Sequence, residues 1–373
     1  MVTEVRKVDA DTDCASAVRE AAACLADGGL VVFPTETVYG VGANATNPEA
    51  LARLRTVKNR SESKPFTVHI GARAAIDRFV PNLQGMGRRL ADKAWPGPLT
   101  LIFHLPDASC APVIMETATE HIEAMYHEGT IGVRCPDDRV AADLLAEARV
   151  PIVAASANPA GAPAPLDADS ALEMLDDQVD LVLDAGRTRY GKPSTIVRVN
   201  EIGYEIVREG VLDERTIRRL ARITFLLVCT GNTCRSPMAE GLLRHLLAER
   251  LGCSEAELTE RGYHIESAGT AGMDGMAASQ PAVAALGRRG IDLAGHRSSA
   301  LTLETIQRAD YILTMTHSHL DVVTAMCAGA HNRCRLLNEQ DIEDPLGGDE
   351  ETYARCADRI ERALRIRLEE ISL

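Results

Sequence analysis

The ten scattered cysteines form no CxxC pair and show no metal-ligand spacing, so no metal is expected on protein side chains. The absence of a GxxxxGK[ST] loop excludes a P-loop NTPase. No apolar run approaches transmembrane length, and Met1-Val2-Thr3-Glu4-Val5-Arg6 lacks the apolar core of a signal peptide. A chain without membrane association in a reducing cytoplasm is therefore expected. Lysine is scarce, with five residues beside 35 arginines and none after residue 192. That skew points to genomic base composition rather than to function. The formal charge of -14, from 40 Lys+Arg against 54 Asp+Glu, argues against a general nucleic-acid binder. Neither low-complexity sequence nor an internal repeat is visible.

At 373 residues the chain exceeds one typical core, and two domains are expected. Residues 208–215 are polar and charged, 216–222 read as helical, and a new apolar run starts at Ile223. The expected division is 1–212, a linker 213–222, and 223–373. Both parts alternate β-branched and amphipathic stretches, the pattern of α/β domains. Residues 29–34, 66–70, 99–103 and 151–154 read as strands; 15–25 and 138–148 read as helices.

The sharpest local signal is Cys229-Thr230-Gly231-Asn232-Thr233-Cys234-Arg235-Ser236-Pro237. It follows the apolar run 223–228, and Pro237 opens an amphipathic stretch through Leu242, Leu243, Leu246 and Leu247. A strand, a loop and a helix N-terminus in that order let backbone N–H groups converge on an anion. Arg235 can hold two phosphate oxygens as a planar fork, with the Cys229 sulfur beneath the bound group in a field that favours a thiolate. Ser236 can donate to that sulfur, and Asn232 suits a left-handed loop position. Asp344, in Asp344-Pro345-Leu346-Gly347-Gly348, can protonate a leaving group and later activate water.

Residues 223–373 resemble the low-molecular-weight protein phosphatase family. The family's nucleophile, arginine, loop asparagine, serine and general acid fall on Cys229, Arg235, Asn232, Ser236 and Asp344. The resemblance implies a doubly wound parallel sheet, a phosphocysteine intermediate and no cofactor. Thr233 is short where members acting on phosphotyrosine tend to carry a bulky aliphatic residue, and no aromatic follows Pro345. Together with Met315-Thr316-His317-Ser318-His319, these features resemble the bacterial protein-arginine phosphatases, which implies arginine-phosphorylated proteins as substrates. Phosphotyrosine hydrolysis is the alternative, and arsenate reduction through Cys327 and Cys334 is a third. His317 and His319 read as capping or surface residues. Cys234, five residues after Cys229, is near enough to form a protective disulfide with it.

In the first part, positions 51–100 hold ten Lys/Arg against three Asp/Glu. Within and beside them lie Phe33-Pro34-Thr35-Glu36-Thr37-Val38-Tyr39-Gly40-Val41-Gly42, Lys58-Asn59-Arg60, Lys64-Pro65 and Val68-His69-Ile70-Gly71. Glycines at a strand end followed by a Lys-x-Arg pair suit a polyphosphate held close to backbone and cations. Further along come Thr130-Ile131-Gly132-Val133-Arg134, Ser156-Ala157-Asn158-Pro159, Pro193-Ser194-Thr195 and Val207-Arg208. Physical chemistry alone gives an anion-binding cleft, and an RNA-binding module without catalysis stays open as the alternative.

These motifs, in this order over residues 10–212, resemble the YrdC-like L-threonylcarbamoyladenylate synthases. The resemblance implies a twisted open α/β sheet and condensation of L-threonine, bicarbonate and ATP, with Mg²⁺ riding on the triphosphate. The product would supply a tRNA-modifying transferase downstream. By the same resemblance ATP contacts fall on Lys58, Arg60, Thr130, Ser156, Asn158 and Arg208, and threonine contacts on Thr35, His69, Arg134 and Ser194. Phe66 stands where the family more often has leucine.

Overall fold

A computed structural model describes residues 2–8, 14–60, 65–117, 122–200 and 203–371 of the chain. It divides into two compact units, Met1–Ala221 and Arg222–Leu373. The division falls just at the end of residues 213–222, the stretch expected to be a linker. Most of that stretch is instead the helix Glu214–Ala221, which buries Ile217 and Ala221 in the first unit's core. Its charged residues face outward and mask two apolar anchors four residues apart, the spacing of one helical face.

Among the described residues the first unit is built on a mixed sheet of eleven strands. Its centre runs Val31–Phe33, Gly40–Asn44, Ile152–Ser156, Thr67–His69, Thr130–Arg134, Leu99–His104 and Thr195–Val199 in spatial order. The strand readings therefore hold, each shifted by a residue or two at its ends, and Ala15–Ala26 and Arg139–Glu147 are helices. Side chains alternate between two cores: Leu30 and Val32 enter one, Val31 and Phe33 the other. Both faces of the sheet are thus covered, as the pattern of a half-parallel α/β layer requires.

Gly40 opens the buried strand Gly40–Asn44 and lines a cavity, whereas Gly42 lies inside the strand. A Cβ on Gly42 would stand 3.0 Å from the Phe33 ring and 3.3 Å from Ile152 Cγ2. Close packing of a neighbouring aromatic ring explains this glycine.

The second unit has four parallel strands in the order Tyr263–Gly269, Ile223–Cys229, Tyr311–Thr314, Cys334–Leu336. The central strand Ile223–Cys229 is buried throughout. Phe225, Leu227 and Cys229 enter one core, Leu226 and Val228 the other, so helices cover both faces in a doubly wound arrangement. The following helix is Arg235–Leu251, opening two residues before the Pro237 start read from sequence. Among the described residues no helix is long and apolar enough to cross a membrane.

Candidate active sites

In the second unit, the chain leaves the sheet at Cys229 and re-enters a helix at Arg235, with the cradle between them. Asn232 takes φ 54°, in the left-handed region where asparagine is tolerated. It is fully buried and its groups are spent on fixing the loop. Nδ2 donates to Ser236 Oγ and Ser267 Oγ, both at 2.8 Å, and Oδ1 accepts from the Ser299 amide at 2.7 Å. His296 Nε2 lies 2.8 Å from the Asn232 carbonyl, to which it donates. A Cβ at Gly269 would stand 2.6 Å from the Thr230 carbonyl, so only glycine lets the neighbouring strand support the cradle this closely. Sequence reasoning found Asn232 and Ser236 but missed Ser267, Ser299 and His296, which lie 35 to 67 residues away and carry no local pattern.

The Cys229 sulfur lies 2.9 Å from Ser236 Oγ and 3.2 Å from the Asn232 amide. Ser236 accepts from Asn232, which leaves its own proton for the sulfur. Two donors thus converge on the atom that would carry negative charge. Arg235 is buried, donating through one nitrogen to the Ile342 carbonyl at 3.0 Å and through the other to Thr230 Oγ1 at 3.2 Å. That second nitrogen also forms an ion pair with Asp344, whose side chain is 43% exposed. The structure therefore brings together Cys229, Thr230, Gly231, Asn232, Arg235, Ser236 and Asp344. Thr233 is half-buried beside them, and Cys234 turns its sulfur toward Ser279 Oγ at 3.3 Å and the Tyr353 hydroxyl at 3.4 Å. Cys229 and Cys234 are both free thiols.

Cys334, one of the two cysteines of the arsenate alternative, is badly placed. Cys334 pairs with Ile312, which in turn pairs with Leu226, three residues before Cys229. Two strand spacings and three residues of rise put it about 14 Å from the nucleophile. Burial also pushes its thiol up to about 11. His319 meets the capping half of its expectation: it is buried at a helix start, where its amide and ring both meet the N-cap residue Thr316.

In the first unit, strand ends and connecting loops surround a cavity of about 550 Å³. Lys58 caps the helix Pro48–Val57 and reaches the Ser156 carbonyl at 2.5 Å, the Asn158 carbonyl, and Asn158 Oδ1 at 3.3 Å. Burial, then the Arg60 charge, pulls its ammonium down to about 8. Arg60 donates to the Pro65 carbonyl at 2.5 Å and lies over the Phe66 ring, 4.9 Å from its centroid. Phe66 therefore gives the guanidinium an aromatic seat that leucine would not. Lys64 lies outside the described residues.

Arg134 enters from the end of its strand. It donates to Thr37 Oγ1 at 2.6 Å, to Glu36 Oε2 at 2.9 Å and to Thr35 Oγ1 at 3.5 Å. Glu36 stands out in the sequence only as a neighbour of Thr35; in the fold it is the buried counter-charge that makes a buried Arg134 tolerable. Ser194 shares a 2.9 Å hydrogen bond with Thr100, and its carbonyl accepts from Arg208 at 2.8 Å. Among the described residues no carboxylate pairs with Lys58, Arg60 or Arg208, so three cations face one cavity without neutralisation. That is the electrostatics of a polyanion site. Thr35, His69, Ser156, Asn158 and Ser194 line the same cavity.

Thr130 does not line it. Its hydroxyl donates to the His127 carbonyl at 2.9 Å, at the opposite end of the strand that delivers Arg134. Four residues of rise separate the two by about 13 Å. Thr130 thus stands apart from the residues that line the cavity.

His69 is buried, and burial, followed by the Arg134 charge, pushes its pKa down to about 3. The neutral ring places Nδ1 3.0 Å from the Thr67 carbonyl, where it donates, leaving Nε2 as an acceptor. The unfolded imidazole binds a proton near its ordinary value of about 6.5, while the folded one does not until about 3. Stability of the first unit is thus lost at this residue as pH falls from 6.5. Buried Trp95, the chain's one tryptophan, reports that unit alone. Denaturant titrations followed at Trp95 should show a shallower loss between pH 6.5 and 5 in His69→Asn, by up to ~1.4 kcal/mol per pH unit. Parallel slopes in the two proteins would contradict this.

Residues 23–210 match the Sua5/YciO/YrdC family model, described as telomere recombination. Residues 223–372 match the low molecular weight phosphotyrosine protein phosphatase model. Threonylcarbamoyl-AMP synthase of Pyrococcus abyssi is 32% identical over 203 residues, covering 54% of this chain and 56% of that protein. This chain spans about half the length of the first such relatives it matches. Protein-arginine-phosphatase of Bacillus subtilis is 36% identical over 146 residues, covering 38% of this chain and 91% of the relative. The solved structure of a double variant of P. abyssi Sua5 shares the fold, with TM-score 0.50 and 21% identity over 89% of this chain and 98% of that one. The chain belongs to the Sua5/YciO/YrdC family through its first unit and to the low-molecular-weight phosphatase family through its second.

Proposed function

We propose that the chain is bifunctional: the first unit makes threonylcarbamoyl-AMP and the second hydrolyses phosphoarginine on proteins. The observation that carries the first half is the convergence of Lys58, Arg60 and Arg208, without carboxylate partners among the described residues, on a cavity that also holds Arg134 and neutral His69. The amine of L-threonine condenses with bicarbonate with loss of water, and a carbamate oxygen attacks the α-phosphorus of ATP. The bond to pyrophosphate then breaks. Arg134 is placed for the threonine carboxylate, and His69 Nε2 can accept from its ammonium or hydroxyl. Lys58 and Arg60 neutralise charge on the departing pyrophosphate, and Mg²⁺ arrives with the triphosphate as part of the substrate. The product would pass to a tRNA-modifying transferase.

In the second unit, the Cys229 thiolate attacks phosphorus and Arg235 with the loop amides holds the equatorial oxygens. Asp344 now sits on the Arg235 fork. An incoming phosphoryl group displaces it, freeing the carboxyl to meet a substrate guanidinium and protonate the nitrogen as the P–N bond breaks. In the second step Asp344 takes a proton from water, which attacks phosphorus and returns the thiolate with inorganic phosphate.

Specificity for phosphoarginine rests on Thr233, a short polar wall, and on Leu346-Gly347-Gly348 after Pro345, which supplies no ring to stack on a phenol. We expect wild type to prefer phosphoarginine peptides over phosphotyrosine peptides in kcat/KM. Thr233→Ile should move that ratio toward phosphotyrosine by at least about tenfold, or ~1.4 kcal/mol of differential transition-state binding. A wild type that favours phosphotyrosine, or a ratio indifferent to residue 233, rejects the assignment.

A further inference from the structure

The segment Met315-Thr316-His317-Ser318-His319 holds two histidines without a metal role: among the described residues no group of three His, Cys, Asp or Glu could hold an ion. What the two rings touch is more informative. The segment opens the helix His317–Met326, and its two histidines reach in different directions.

His319 reaches the nucleophile loop. Its Nε2 lies 2.9 Å from Thr230 Oγ1, and its Nδ1 lies 2.8 Å from Thr316 Oγ1. Burial, with the Arg235 charge next, pulls the imidazole below its ordinary pKa. In the neutral ring Nδ1–H donates to Thr316 and Nε2 accepts from the Thr230 hydroxyl. Thr230 then keeps its lone pairs for the Arg235 N–H at 3.2 Å. A directed chain of hydrogen bonds runs from Arg235 through Thr230 to His319, and it fixes how the guanidinium fork is turned.

His317 reaches the loop that carries the acid. Its backbone N–H and its Nδ1 both meet Asp341 Oδ1, at 2.9 and 2.7 Å. One residue further, the Ile342 amide donates to the Met315 carbonyl at 2.8 Å, and the Ile342 carbonyl accepts from Arg235. Asp344 follows two residues later. The helix start thus fastens the acid loop at 341–342 and the cradle at Thr230 from one short rigid piece.

We propose that His317 and His319 are positioning residues that act separately: His319 sets the phosphate grip of Arg235 through Thr230, and His317 sets the reach of Asp344 through Asp341. This rests on the phosphatase reading of the second unit. Neither ring touches substrate, so each acts only through the group it holds.

The two roles separate experimentally because one concerns ground-state anion binding and the other proton donation. The full chain is assayed on p-nitrophenyl phosphate, whose leaving group needs little protonation, and on phenyl phosphate, whose leaving group needs it. Inorganic phosphate serves as competitive inhibitor. His317→Ala should lower kcat/KM for phenyl phosphate about tenfold more than for p-nitrophenyl phosphate, with the phosphate Ki changed by less than about twofold. His319→Ala should raise the phosphate Ki about fivefold or more while changing the ratio between the two substrates by less than about twofold. His317→Asn, which keeps a donor at the Nδ1 position, should restore the substrate ratio, and His319→Gln should restore the Ki. An equal loss on both substrates in His317→Ala, an unchanged phosphate Ki in His319→Ala, or no loss in either overturns the proposal. Wild type inactive on both phosphate esters would instead overturn the phosphatase reading itself.

Discussion

Cys229→Ser should abolish phosphatase turnover, lowering phosphate release by at least about 10⁴-fold on any phosphorylated substrate. The sulfur sits at the end of a fully buried strand, with Ser236 Oγ at 2.9 Å and the Asn232 amide at 3.2 Å. A serine hydroxyl in its place stays protonated at rest, accepts the same donors and is a far poorer nucleophile than a thiolate. The cradle would survive, because Asn232 is anchored to Ser236, Ser267, Ser299 and His296 rather than to the sulfur alone. The variant should therefore still bind inorganic phosphate while turning nothing over. Asp344→Asn should cost roughly 10²- to 10³-fold on substrates with poor leaving groups. Loss of phosphate binding in Cys229→Ser, or residual activity within tenfold of wild type, would contradict this assignment.

Lys58→Met should reduce threonine-dependent pyrophosphate release by roughly 10²- to 10³-fold, about 3–4 kcal/mol of transition-state stabilisation. Lys58 is 5% exposed, and its ammonium joins the Ser156 and Asn158 carbonyls beneath a cavity where no carboxylate among the described residues offsets it. Methionine keeps the stem and removes the charge, so packing along the helix Pro48–Val57 is retained. Two carbonyls lose a donor, which costs stability by about 1–3 kcal/mol. Trp95 fluorescence during unfolding separates that loss from the catalytic one. Lys58→Arg should not restore activity, because a planar fork cannot replace a point donor shared between two converging carbonyls. Activity retained in Lys58→Met would remove this residue from the reaction.

The two sites differ in how far they could be read from sequence. The cradle was legible because Cys229 to Ser236 supply nucleophile, loop and arginine within eight consecutive residues, bounded by an apolar strand and a helix opening. Its outer support was not, since Ser267, His296 and Ser299 come from a separate strand and loop. The first unit's cleft is assembled from widely separated segments. Order along the chain identified its cations, while their convergence on one cavity depends on a strand order that apolar runs do not encode. Thr130 shows the cost: it shares a strand with Arg134, yet that strand carries it away from the cleft. Glu36 shows the converse, a carboxylate beside Thr35 whose role became plain only when Arg134, 98 residues later, was seen to reach it.

The central claim is that one chain carries two chemistries, each complete in its own unit. It is tested most directly by measuring threonine- and bicarbonate-dependent pyrophosphate release and phosphoarginine hydrolysis in Cys229→Ser and Lys58→Met. A clean crossing is expected. Cys229→Ser should keep pyrophosphate release within about twofold of wild type while losing hydrolysis, and Lys58→Met should do the reverse. A large loss of both activities in either variant, or no threonine-dependent pyrophosphate release from wild type, would contradict it.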